Sequence, residues 1–312
     1  MIKIIVYTSN LKEEWNNFNK HSKNGLFMFD RNYMDYHSNR FKDNSLMFYE
    51  DSKLIALLPC NIKDNILYSH QGLTFGGFIS DDNMKQNKML ECFVLLKEYM
   101  KINKIDKLIY KSIPYIYHKL PSNEDLYALF RNDAKLFRVD CSTTIDLQNI
   151  CKMPKGRKAQ ISRAKREGVE VIESEDFDNF VVFLNSVLQK HHGVKAVHNA
   201  DELKLLHSHF FANIKLFVAR LDSEIIAASL VFVYENLVHT QYLASSDKGR
   251  EIGALDLLIK SLMDKFSLEK RYFDFGISTE DNGKFLNQGL ISQKEGFGGR
   301  SVVHCFWKLG WN

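Results

Sequence analysis

Two segments of the chain repeat each other, without a gap, at a spacing of 171 residues. One runs from Asp51-Ser-Lys-Leu-Ile-Ala to His70, the other from Asp222-Ser-Glu-Ile-Ile-Ala to Gln241. Asp51 and Asp222, Ser52 and Ser223, Ile55 and Ile226, Ala56 and Ala227, and Asn65 and Asn236 are identical pairs. In each copy an apolar run leads into an Asp-Ser turn, a second run, an Asn-containing turn and a third run. That pattern predicts a three-stranded antiparallel meander. A helical pattern follows each meander, over 84–101 and 250–269, and then another strand, over 107–110 and 272–275. The same order of elements in both halves makes duplication the better account of the repeat.

The chain therefore reads as α/β, with mixed (α+β) sheets covered by helices in two halves, 1–150 and 151–312. The first half predicts strand 2–7, helix 11–20, a meander over 45–79, helix 84–101, strand 105–111, helix 122–131 and strand 136–147. The second predicts helix 154–167, strand 169–173, helices 176–190 and 201–212, a meander over 215–245, helix 250–269, strand 271–276, helix 281–289 and strand 301–309. With 312 residues, 45% of them hydrophobic, each half is long enough for its own core. The longest apolar stretch, Ile225 to Tyr234, is about half of what a bilayer span needs, so no membrane span is expected. The first residues read as a strand and not as a signal peptide. The five cysteines are scattered and form no CxxC pair, which points to a reducing, cytoplasmic setting.

The net charge of +4 is unevenly placed. Lys155, Arg157, Lys158, Arg163, Lys165 and Arg166, offset by Glu167, give one segment +5 and leave about −1 for the rest. Pro154 and Gly168 bracket it as a helix, with Ile161 and Ala164 as a thin apolar stripe. Such a cluster is either a solvated face or an anion site.

The order meander, glycine-bearing turn, helix, strand resembles the core of the GNAT acyltransferase fold. The doubled form, with a basic helix between the halves, resembles the FemABX-like group, whose members carry two tandem GNAT-like domains. The resembling motifs lie within about 150–305. They are Lys155-x-Arg-Lys-x-x-x-Ser-Arg-Ala-Lys, His192-Gly-Val-Lys-Ala-Val-His198, His239-Thr-Gln-Tyr242, Tyr272-Phe-Asp-Phe-Gly-Ile-Ser-Thr-Glu280 and Asn287-x-Gly-Leu-x-x-x-Lys-Glu-Gly-Phe-Gly-Gly-Arg300. They are similar to FemAB-like proteins associated with envelope polysaccharide synthesis. In the first half only the meander and Phe75-Gly-Gly carry the likeness, so that half is expected to be a degenerate copy supporting the cleft.

The resemblance implies an acyl donor between splayed strands, with its phosphates at a helix N-terminus. There unsatisfied N–H groups and the helix dipole favour an anion. Tyr242, Leu243, Lys248, Gly249, Arg250 and Gly253 are the expected cofactor contacts, for acetyl-CoA or another acyl-CoA. Leu255 stands where the family has a small residue, and aminoacyl-tRNA is the alternative donor. Amide formation needs a neutral amine, a route for its proton and a donor facing the oxyanion. Lys294 is the first candidate for that cation, with His239, Asp274 and Glu295 as candidate catalytic groups. Strand alternation places His239 and Gln241 on one face and Thr240 and Tyr242 on the other. Lys155, Arg157, Lys158, Arg163, His192, His198, Gln241, Ser278, Glu280, Asn287, Phe297 and Arg300 are candidate substrate contacts.

The histidines at 192, 198, 207 and 209 match no HExxH pattern, so no metal is expected. No Gly-x-Ser-x-Gly elbow or Walker loop occurs, which removes serine hydrolases and NTPases. The leading expectation is an N-acyltransferase acting on an amine-bearing envelope precursor, with a nucleotide-linked amino sugar as acceptor. A tRNA-dependent enzyme that extends a peptidoglycan stem peptide is the second reading. A non-catalytic duplicate that binds a sugar nucleotide or a partner protein is the third.

Overall fold

The computed structural model describes residues 1–310. The chain divides into two compact units. The first comprises Met1–Cys141, Thr279–Phe285 and the segment from Val303, and the second Ser142–Ser278 and Leu286–Val302.

In the first unit, β1 (Ile2–Val6), β2 (Leu46–Glu50), β3 (Lys53–Leu58) and β6 (Ile79–Ser80) form an antiparallel sheet in the order β1-β2-β3-β6. The Asp-Ser turn between β2 and β3 takes positive φ at both residues, 53° and 135°, as does its repeat at Asp222 and Ser223. The predicted third run does not join this sheet. Pro59 has no N–H to give to a ladder and ends β3. Beyond it β4 (Asn61–Lys63) pairs with β5 (Ile66–Tyr68), which lies parallel to β7 (Lys107–Lys111). Helices α1 (Lys12–His21), α2 (Arg31–Met34), α3 (Gln86–Ile102) and α4 (Glu124–Arg131) complete the unit. Phe48, Phe78, Phe93, Leu96, Leu108 and Tyr110 fill its core.

Past the β5–β7 pairing, segment 69–78 runs against the end of β7. The Gly76 N–H donates to the Lys111 carbonyl (2.9 Å), and the Phe78 N–H donates to the Tyr110 hydroxyl (2.7 Å). Tyr110 in turn donates to Asp125 (2.5 Å), whose carboxyl is pushed up to about 6 by burial. The gap between these strands is closed by protein.

The second unit's sheet runs β8-β13-β12-β11-β10-β9. Its strands are the end of β8 (Lys135–Asp146), β13 (Tyr272–Ile277), β12 (Leu237–Ser245), β11 (Glu224–Val233), β10 (Ile214–Leu221) and β9 (Glu170–Ser174). Here the predicted meander is intact, since β10, β11 and β12 pair antiparallel. A β-bulge interrupts β11–β12 at Leu230, the residue that matches Pro59 in the repeat. Helices α5 (Lys155–Arg166) and α9 (Ala254–Phe266) share one core, where Ile161, Ala164, Leu258 and Leu262 meet Val238, Phe273 and Phe275. Helices α6 (Phe177–His192) and α7 (Ala200–His209) pack together, with Phe180 of α6 on Tyr242. A reciprocal Asn199–Glu202 cap starts α7.

Two predicted helices are corrected. The stretch 250–269 is two helices, α8 (Asp247–Ile252) and α9, broken at Gly253. That residue has φ +81°, and a Cβ there would lie 2.6 Å from the Gln160 carbonyl oxygen, so glycine is required on both counts. The stretch 281–289 is instead a short 3-10 turn and strand pieces before α10 (Gln288–Glu295). The Asn287 side chain caps α10 by accepting from the Leu290 N–H, an interaction of a kind that contributes about 0.5–2 kcal/mol.

Candidate active site

Strands β12 and β13 are parallel and pair only at Leu237–Tyr272, Val238–Phe273 and His239–Asp274. Beyond that last pair the sheet opens. A cavity of about 540 Å³ lies there, within the usual size of a small-molecule site. Its wall comes from the ends of both strands (Leu243, Ala244, Ser245, Phe275), from α9 (Leu255, Asp256, Ile259) and from α10 (Leu290, Gln293, Lys294). Arg157 of α5, Arg250 of α8, Phe297, and Val187 and Leu188 of α6 complete it. Three cations and one carboxylate stand in a lining that mixes polar and apolar side chains.

Lys294 is buried, and its ammonium donates to the carbonyls of Gly276 (2.9 Å) and Ile277 (2.7 Å). These oxygens close the end of β13 and fix the charge on the cavity wall. Arg157 is also held. It pairs with Asp256, donates to the Gln293 carbonyl (3.0 Å) and lies 4.1 Å over the Phe297 ring.

The bulge changes which side chains share a face. His239 opposes Phe232, Thr240 opposes Val231, and Tyr242 opposes Leu230, so Gln241 is the extra residue. An extra residue restarts the alternation. His239 and Tyr242 therefore share a face, opposite Thr240, contrary to the expected pairing of His239 with Gln241. On that face the Asp274 carboxylate, fully buried, meets His239 Nδ1 at 2.7 Å and accepts from the hydroxyls of Ser142 and Thr144, both at 2.7 Å. Gly276, at φ +75°, leaves room for the imidazole, since a Cβ there would lie 3.1 Å from His239 Cε1. One residue thus touches the histidine ring and, through its carbonyl, the lysine.

The other expected contacts divide clearly. Leu243, Arg250, Arg157, Phe297 and Lys294 reach the cavity. Tyr242 does not line it. Its hydroxyl meets His198 Nδ1 at 2.8 Å, and burial pushes that hydroxyl's pKa up. Gly249 and Gly253 are packing positions, against Ile226 and Gln160. Lys248, Glu295 and Arg300 are exposed, and none of the three lines the cavity. Arg163 bonds the Glu251 carbonyl (2.9 Å), whereas Lys155 and Lys158 face outward. Ser278 is buried just past the carbonyls that hold Lys294. Glu280 is exposed and belongs to the first unit, and Asn287 is the α10 cap. The side chain of His192 lies outside the described residues. Sequence reasoning missed Asp256, Val187, Leu188 and Phe275, and the Ser142 and Thr144 hydroxyls. Among the described residues no group of three or more His, Cys, Asp or Glu could hold a metal.

A family model described as an acetyltransferase (GNAT) domain matches residues 155–282. No curated protein sequence matches the chain. Among solved structures the chain is similar to FemX, with TM-score 0.72 and 12% identity over 99% of this chain and 98% of that one. A tandem GNAT protein from the clavulanic acid biosynthesis pathway gives 0.55 and 9%, over 99% and 98%. L-PGS from Bacillus licheniformis gives 0.58 and 16%, over 85% and 83%. Residues 155–282 therefore carry a GNAT-type acetyltransferase domain. The chain as a whole has a FemX-like fold, with two GNAT-like domains in tandem. Among the described residues no helix is long and apolar enough to cross a membrane.

Proposed function

We propose that the second unit transfers an acyl group from a thioester to the amine of a cell-envelope precursor, making an amide in the cytoplasm. Acyl-CoA is the simplest donor of that chemistry, and a nucleotide-linked amino sugar is the acceptor that the motifs imply. The observation that carries the reading is the opening between β12 and β13, with a fixed ammonium on its wall, next to the last strand pair, where the carboxylate-held His239 imidazole sits just outside the lining. Side chains of α6 and of α9 both reach this cavity, which fits a passage where donor and acceptor meet.

In the reaction the neutral amine nitrogen attacks the thioester carbonyl. The N–C bond forms, His239 takes the amine proton, the C–S bond breaks, and the thiolate leaves to be protonated. Asp274 holds the imidazole in one tautomer and orientation through Nδ1, which directs Nε2 to the proton. Lys294 stabilises the oxyanion in a site of low dielectric, where a preorganised donor counts for more than in water. The first unit, whose corresponding gap is closed by segment 69–78, supports the structure and takes no donor.

Octanoyl-pantetheine, which carries the thioester without a nucleotide, tests the reading. At 100 times its dissociation constant it is expected to add about 2.7 kcal/mol of apparent stability. Adding a UDP-linked amino sugar is expected to release thiol and yield the octanoyl amide by mass spectrometry. Absence of both the stabilisation and any amine-dependent thiol release contradicts it.

A further inference from the structure

The donor end of the cavity is poorly suited to a free nucleotide. A helix N-terminus attracts anions through its open N–H groups and its dipole. In α9 a carboxylate already stands there, since Asp256 lies in the first turn, lines the cavity and is paired with Arg157. Leu255 adds a branched side chain beside it. A diphosphate placed at this helix end would meet the Asp256 carboxylate, paired with Arg157, and would have Arg250 as its nearest uncommitted cation, since Lys294 is held by the Gly276 and Ile277 carbonyls. The cavity nevertheless accepts an apolar acyl chain, given Leu243, Leu255, Ile259, Phe275, Leu290 and Phe297.

Helix α5 supplies the second observation. Its inner face carries Arg157, Ile161 and Ala164 into the cavity wall and core. Its outer face carries Lys155, Lys158, Lys165 and Arg166, all exposed and, among the described residues, in no ion pair. A 12-residue helix is about 18 Å long, so these cations form a stripe beginning within one turn of the cavity. Unpaired charges of one sign along a rigid element steer a partner of the opposite sign.

We propose that the acyl group arrives on an acidic carrier protein, which docks on the α5 stripe and feeds a phosphopantetheine thioester into the cavity. This rests on the thioester reading above and names its donor. An acidic protein is favoured over an aminoacyl-RNA by the cavity itself. The ammonium of an aminoacyl group would enter a space already holding three cations against one carboxylate. An apolar acyl chain meets no such cost.

Binding of three probes decides it: an acidic carrier protein loaded with an octanoyl-phosphopantetheine arm, octanoyl-CoA and octanoyl-pantetheine, each at low and moderate salt. The carrier is expected to bind at least tenfold more tightly than octanoyl-CoA at low salt, with that advantage shrinking as salt rises. The double variant K165E/R166E is expected to lose carrier affinity tenfold or more while binding octanoyl-pantetheine as before. Octanoyl-CoA binding as tightly as the carrier, or the double variant binding the carrier undiminished, overturns the proposal and leaves the thioester reading intact. Salt-dependent, stripe-dependent binding of tRNA in place of the carrier overturns it in favour of an RNA-borne donor. Failure of octanoyl-pantetheine itself to bind removes the thioester reading as well.

Discussion

Lys294→Met is expected to lower kcat by about 10²–10³, the usual loss when one preorganised oxyanion donor is removed. Met keeps the aliphatic stem and deletes only the ammonium. The same change strips the Gly276 and Ile277 carbonyls of a shared donor, and a buried acceptor such as the Gly276 carbonyl left unpaired costs about 1–3 kcal/mol. Stability and turnover are therefore expected to fall together, and they must be separated. Turnover measured well below the melting temperature, on protein shown by circular dichroism to be folded, makes that separation. A kcat within threefold of the parent under those conditions assigns Lys294 to structure alone.

The second large effect falls on the imidazole and its carboxylate. His239→Gln is expected to cost about 10²–10⁴ in kcat, the range for losing a positioned base. Asp274→Asn tests positioning and not proton transfer. The amide cannot hold Nδ1–H as the carboxylate does, and it disturbs the Ser142 and Thr144 hydroxyls as well. Its expected signature is a fall in kcat with KM little changed. A change in stability with kcat unaltered contradicts the positioning role. So does a His239→Gln variant that keeps the parent kcat.

Much of this arrangement is legible in the sequence, because it follows from local patterns. The 171-residue repeat locates both Asp-Ser hairpins. Apolar periodicity locates α3, α5 and α6 to within two residues. Lys294, Arg157, Leu243, Arg250 and Phe297 are nameable from motifs and do reach one cavity. What escapes has physical reasons of its own. The bulge at Gln241 reverses the facing of every later residue on β12, and no alternation rule detects an inserted residue. Gly253 ends one helix and starts another, which an uninterrupted helical pattern conceals. Asp256 looks like an ordinary first-turn acid until Arg157, 99 residues away, is seen to pair with it. Ser142 and Thr144 carry no motif, and they matter only because β8 runs beside β13. Pro59 announces a strand end, but not that the following strands join a different sheet.

Where the thioester sits is tested most directly by a crystal structure with a non-hydrolysable octanoyl-pantetheine thioether ketone. The prediction is a ligand threaded between β12 and β13 past His239 and Asp274, its carbonyl oxygen within hydrogen-bonding distance of Lys294 Nζ and its carbonyl carbon open to the side of His239. A ligand seated elsewhere, with residues 243–245 and 275 untouched and Lys294 remote from the carbonyl, contradicts the claim.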